Sequence, residues 1–145
     1  MLEKLWKYHG AAIGLFTGDE TLAGTGPTQG TELCAVCEML YSLEWLLSIT
    51  GEVKWGDLLE QICFNALPAT FSPDMWTHQY DQMANQVQCS RIPQEHVHFT
   101  DNSGEAHLFG LEPHFGCCTA NLSQGWPKFA LSAFMKGADG LYSTA

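Results

Sequence analysis

Thr31-Glu32-Leu33-Cys34-Ala35-Val36-Cys37-Glu38-Met39-Leu40-Tyr41-Ser42-Leu43-Glu44-Trp45-Leu46-Leu47 is the stretch on which the fold turns. Leu33, Val36, Cys37, Leu40, Leu43 and Leu47 recur at the spacing of one helix face. Thr31 stands where an N-cap is expected, and the helix should end before Gly51. Glu44 falls on the same stripe as Leu33 and Leu40. Its plain reading is a carboxylate at the stripe's edge that reaches water or a neighbouring donor.

Working outward, Gly24, Gly26, Pro27 and Gly30 make residues 22–30 a loop. Residues 2–16 read as an earlier helix that ends in the turn Thr17-Gly18-Asp19. After Gly51, a second helix places Trp55, Leu58, Leu59, Ile62, Cys63 and Ala66 on one side, with Pro68 near its end. Two helices joined by a short turn predict an antiparallel helical hairpin. Residues 68–113 are weakly periodic, a long loop of the kind that tends to be functional, with a short strand expected at 96–99. A third apolar helix is predicted from Ala120 to about Met135, interrupted early by Gly125 and Pro127. A turn follows at 137–140, then the start of a strand. The chain therefore reads as mainly α, with a long loop and short strands.

At 145 residues the chain is one domain at most. Only 15% of it is charged against 46% hydrophobic, so part of its surface is expected to be covered by other protein. The net charge of -10 and pI of about 4.8 leave no electrostatic footprint for nucleic acid or an anionic membrane. The apolar stretches read as too short to span a bilayer. Met1 to Tyr8 is charged and amphipathic, and no apolar run with a cleavage site follows. The compartment stays unassigned, because a secreted parent of which this chain is a segment is compatible with these features.

The six cysteines do not read as a disulfide framework. A bridge between the neighbours Cys117 and Cys118 needs a strained ring, and Cys34 and Cys37 share a predicted helix. Reduced thiols with a metal partner fit better. Glu32-Leu33-Cys34 sits at a helix start, where free amides and the dipole favour thiolate. Gly116-Cys117-Cys118-Thr119-Ala120-Asn121 places a vicinal pair before another helix. Glu32, Cys34, Cys117 and Cys118 together supply four ligands for tetrahedral zinc. The pair taken alone could equally be small buried hydrophobes. A closed structural site of Cys34, Cys37, Cys117 and Cys118 is as countable, and spacing does not choose between the two sets. Cys34 and Cys37 also form a C-x-x-C open to thiol redox chemistry. Cys63 and Cys89 have no evident partner.

Asp19 and Glu20 lie in the glycine-rich approach to the first motif. Glycoside hydrolysis needs a proton donor at the leaving oxygen and a nucleophile at the anomeric carbon. Glu20 is a candidate donor, against the plain reading of an exposed acidic turn. His78, His96, His98, His107 and His114, with Trp76, Tyr80 and Phe115, populate the long loop and could line a sugar pocket. Individually each is more often a surface or packing residue, and His96-x-His98 requires only strand alternation.

Taken together, these motifs resemble glycoside hydrolase family 127, the beta-L-arabinofuranosidases and their relatives. The resemblance is carried by Gly18-Asp19-Glu20, Gly30-Thr31-Glu32-Leu33-Cys34 and Gly116-Cys117-Cys118-Thr119-Ala120-Asn121. Trp55-Gly56-Asp57-Leu58-Leu59-Glu60 and Phe64-Asn65-Ala66-Leu67 are similar to the family's second helix after the Glu-x-Cys motif. The two cysteine motifs are specific in combination and much less so apart.

The resemblance implies zinc held by Glu32, Cys34, Cys117 and Cys118, with Cys117 as the nucleophile of a retaining reaction and Glu20 as acid and then base. It also implies a carbohydrate substrate of the arabinofuranoside type, met by Tyr80 in His78-Gln79-Tyr80. As a proton donor near neutrality, Glu20 would need burial or a neighbouring charge such as Asp19. Thr119-Ala120 replaces the prolines that often follow the cysteine pair, which suggests another branch of the family. Its members are far longer, with a two-layered helical barrel and a following beta domain. The expectation is accordingly a segment of an (α/α)6 barrel, whose apolar helix faces are covered by missing barrel segments or by oligomer contacts.

Overall fold

A computed structural model describes residues 1–86, 88–98, 100, 102–110 and 116–144. Its elements run α1 (Leu2–His9), β1 (Gly30–Glu32), α2 (Leu33–Thr50), α3 (Val53–Gln61), β2 (Asp81–Met83), α4 (Gly116–Leu122), α5 (Gly125–Leu131), β3 (Phe134–Lys136) and β4 (Leu141–Ser143). The architecture is mainly helical with two small two-stranded sheets.

The stripe on α2 is the spine of the core. Leu33, Val36, Cys37, Met39, Leu40 and Leu43 are buried against Leu59, Ile62, Cys63, Ala66 and Leu67. The helix stops at Gly51, whose positive φ of 67° is strained for other residues, and whose N–H bonds to the Leu47 carbonyl. Glu44 is buried on the stripe and accepts a 2.6 Å bond from the Ser132 hydroxyl, as its plain reading anticipated.

Thr31 does not cap α2. It belongs to β1, which pairs antiparallel with β2 in the register Gly30↔Met83, Thr31↔Gln82, Glu32↔Asp81. Its hydroxyl donates to the Phe16 carbonyl instead, at 3.2 Å. Glu32 takes the cap position with no side-chain cap bond, so its carboxylate is available elsewhere.

The first helix ends at His9, short of the predicted Phe16. Gly10 is extended and the chain folds back, with Ala11 N–H on the Leu15 carbonyl and Thr17 N–H on that of His9, both at 2.7 Å. The second helix begins at Val53 and passes into a π-helical turn, Ile62–Ala66, before a 3-10 turn at Pro68–Thr70. The third predicted helix is two helices, α4 and α5. Pro127 has no N–H to give and so lies in the first turn of a new helix. Gly125 lets that turn approach the core, since a Cβ there would lie 2.7 Å from a Leu67 methyl. The remaining chain forms the β3–β4 hairpin. The strand expected at 96–99 is replaced over Gln94–His96 by a 3-10 turn, closed by the His96 N–H on the Pro93 carbonyl. Phe99, and His114 and Phe115 of the expected sugar pocket, lie outside the described residues.

By length and composition α2 is apolar enough to cross a membrane, with mean hydropathy 1.4 over 18 residues. This corrects the reading from uninterrupted apolar runs, because only Glu38 and Glu44 are charged across the helix. Trp45 and Ile49 on α2 are exposed, as are Leu131, Phe134 and Leu141.

Candidate metal centre

Three elements bring the two cysteine motifs together. The β1–α2 junction delivers Glu32, the first turn of α2 delivers Cys34, and the first turn of α4 delivers Cys117 and Cys118. Cys118 is fully buried while Cys117 is exposed. The sulfurs of Cys34 and Cys118 lie 3.2 Å apart. Glu32 Oε1 stands 3.7 Å from Cys118 Sγ and 3.9 Å from Cys117 Sγ. All four ligand atoms fall within 4.8 Å of one another. Tetrahedral zinc with bonds of about 2.3 Å to sulfur needs ligand atoms roughly 3.8 Å apart, so the donor set and spacing fit such an ion. Cys37 is not in this group. It is buried in the core, where burial pushes its thiol up to about 12.

The electrostatics point the same way. Burial first, then the hydrogen bond and charge of Cys34, push the Glu32 carboxyl up to about 8. Cys34 is brought down to about 5, chiefly by its hydrogen bond from Cys118. That same bond, followed by burial, pushes Cys118 strongly up, and burial followed by Cys34 raises Cys117. Without a cation the cluster holds one negative charge, on Cys34, at neutral pH. A bound dication supplies the attraction that strips the remaining protons.

A family model described as the beta-L-arabinofuranosidase GH127 catalytic domain matches residues 9–131. The chain belongs to the GH127 family. No curated protein matches it. GH127 membership implies glycoside hydrolase activity and a carbohydrate substrate, and the matched span contains Glu20 and the whole Glu–Cys cluster.

Around the cluster, the GH127 chain places its other singled-out residues unevenly. Leu33 N–H bonds to the Tyr80 carbonyl at 2.9 Å, which ties the His78-Gln79-Tyr80 segment to the metal motif. His78 is buried and its Nε2 is 2.9 Å from the Thr119 hydroxyl, beside the vicinal pair. Gln79 is buried and bonded to Gln86 and the Ala69 carbonyl. Tyr80 is also buried, and its hydroxyl meets Glu20 Oε1 at 3.5 Å. Burial and then the charge of Glu32 hold the Tyr80 phenol protonated, well above its usual range. Glu20 itself is exposed, so burial, one of the two conditions expected for it, is not met.

The other loop residues divide in two. His107 is fully buried and neutral, pushed down to about 4 by burial. Trp76, His96 and His98 are exposed. Sequence reasoning missed Thr100 and Asn102, whose side chains both bond to Asp19. They come from an irregular loop more than eighty residues away, and no spacing rule marks them.

Proposed function

We propose that this GH127 chain is the metal-site segment of a retaining glycoside hydrolase acting on beta-L-arabinofuranosides or related sugars. The observation that carries the reading is the convergence of Glu32, Cys34, Cys117 and Cys118 within 4.8 Å, inside the family match. Zinc would be held by those four side chains. Bound there, it keeps the sulfurs deprotonated at neutral pH and oriented toward the sugar.

Cys117 is the exposed sulfur of the cluster and serves as the nucleophile. Its lone pair bonds to the anomeric carbon as the bond to the leaving oxygen breaks, and Glu20 gives that oxygen its proton. Glu20 then takes a proton from water, whose oxygen displaces the Cys117 sulfur from the same carbon. Two inversions return the original configuration. Tyr80, His78 and Gln79 are all buried and serve the sugar site from behind, Tyr80 through Glu20, beside which its hydroxyl lies. The apolar faces around Trp45, Ile49, Phe134 and Leu141 support an (α/α)6 barrel segment whose neighbouring segments cover them.

The test is turnover of an aryl beta-L-arabinofuranoside by Cys117→Ala, with zinc content measured alongside. Activity should fall on the order of a thousandfold or more. Full turnover by this variant overturns the mechanism.

A further inference from the structure

Glu20 is held by a closed ring of hydrogen bonds. Asp19 Oδ1 accepts from the Glu20 backbone N–H at 2.9 Å, and Asp19 Oδ2 accepts from Asn102 Nδ2 at 3.1 Å. The same Asn102 nitrogen donates to the Tyr80 hydroxyl oxygen at 2.9 Å, and that hydroxyl donates to Glu20 Oε1 at 3.5 Å. Thr100 secures the far side. Its hydroxyl donates to Asp19 Oδ2 and accepts the Asn102 backbone N–H at 3.0 Å. Asn102 also borders a cavity of about 820 Å³ with Arg91, Gln94 and Glu105.

An amide NH₂ has two hydrogens, one for each oxygen it meets here. With a hydrogen of Asn102 on its lone pair, the phenol oxygen of Tyr80 is turned so that its own hydrogen faces Glu20. We infer that Asn102 is a positioning residue that fixes Glu20 from two sides, its backbone through Asp19 and its carboxylate through Tyr80. The inference rests on the acid/base reading of Glu20. Asn102 touches neither the reacting atoms nor the sulfur cluster and acts only through its two neighbours.

The test compares beta-L-arabinofuranosides with poor (alkyl or sugar) and good (nitrophenyl) leaving groups on the zinc-loaded protein. A poor leaving group depends on the proton donor and a good one does not. Asn102→Ala and the near-isosteric Asn102→Asp should both lose on the order of tenfold in kcat/KM, which reports the first, acid-assisted step, on the poor substrate and little on the good one. Asn102→Ala added to Tyr80→Phe should cost less than the two separate losses combined. Equal losses of kcat/KM on both substrates, a fully active Asn102→Asp, or strict additivity overturns the inference. Glu20→Gln separates the two readings. If it lacks leaving-group dependence, the acid assignment falls and takes this inference with it. If it shows that dependence and the Asn102 variants do not, only the role of Asn102 falls. Where the wild-type chain does not turn over, the resonance of the Tyr80 ring carbon bearing the hydroxyl decides. It should shift in Asn102→Ala and stay in place in the control Lys136→Gln on the β3–β4 hairpin, and an unmoved resonance in Asn102→Ala overturns the inference.

Discussion

The Cys34 and Cys118 sulfurs lie 3.2 Å apart although 84 residues separate them. One belongs to the first turn of α2 and the other to α4, so whatever occupies the cluster also fastens these two helices. Ligand binding and folding are therefore coupled.

Zinc should raise stability by mass action, by about 2.7 kcal/mol when free metal is a hundredfold above Kd. Thermal unfolding with and without a chelator checks this. Glu32→Gln and Cys34→Ala should both shrink the difference and lower bound zinc measured by elemental analysis. Cys37→Ser should leave zinc content unchanged, and zinc lost from Cys37→Ser and Cys34→Ala but kept by Glu32→Gln would restore the four-cysteine site.

Proton release on zinc uptake should depend on pH in a definite direction. Near pH 7 the metal-free cluster carries protons on Glu32, Cys117 and Cys118, so about three should leave per zinc. Above the Glu32 value of about 8 one of these is already gone and release should drop toward two. Calorimetry in buffers of different ionisation enthalpy measures the count, and a pH-independent count contradicts the assignment.

The same shifts set the pH profile of the metal-free fold. Glu32, raised from 4.5 to about 8, makes stability fall with rising pH between those values. Cys34, lowered from 9.0 to about 5, makes it rise between about 5 and 9. Over the shared range the slopes oppose, because folding moves one charge from Glu32 to Cys34 without changing the total. Denaturation midpoints between pH 5 and 8 should carry little net slope from this pair. Cys34→Ser should expose the Glu32 slope, with stability falling as pH rises.

Ser132→Ala should cost about 1–3 kcal/mol, since it leaves a buried carboxylate without its donor. Burial raises the Glu44 carboxyl above its usual range, so the folded state favours the protonated form. Stability from this group is highest at low pH and falls as pH rises above the ordinary 4.5. Urea melts of Ser132→Ala at pH 5 and pH 8 should therefore show the larger loss at pH 8.

Gly104→Ala should disturb the loop that presents Asn102. A Cβ there would run into the Ile92 carbonyl, and the Ile92 N–H bonds to the Gly104 carbonyl at 2.9 Å. Overpacking of this kind costs about 1–3 kcal/mol. Kinetics and metal analysis together should find lower turnover of poor-leaving-group substrates with zinc content unchanged.

The part of this protein legible in its sequence is the part governed by local periodicity and by rare residue pairings. The α2 stripe, its stop at Gly51 and the Glu–Cys cluster all belong there. Thr31 was not, because β2, fifty residues further along the chain, claims its backbone before any cap can form. The split between α4 and α5 was visible in Pro127 but subordinated to apolar spacing. Asn102 carries no local signature, since its importance lies in what two other segments place around it.

Glu32 stands at a helix start where serine, threonine or aspartate would serve the backbone better, by roughly 1 kcal/mol. A designer ranking substitutions by the thermal robustness of the metal-free chain alone would change it early and record a gain. With serine or threonine there, the metal-free chain would be sturdier and short of the carboxylate that Glu32 brings to the cluster. Robustness screens on this scaffold therefore need metal content as a paired criterion, or they will select against the chemistry.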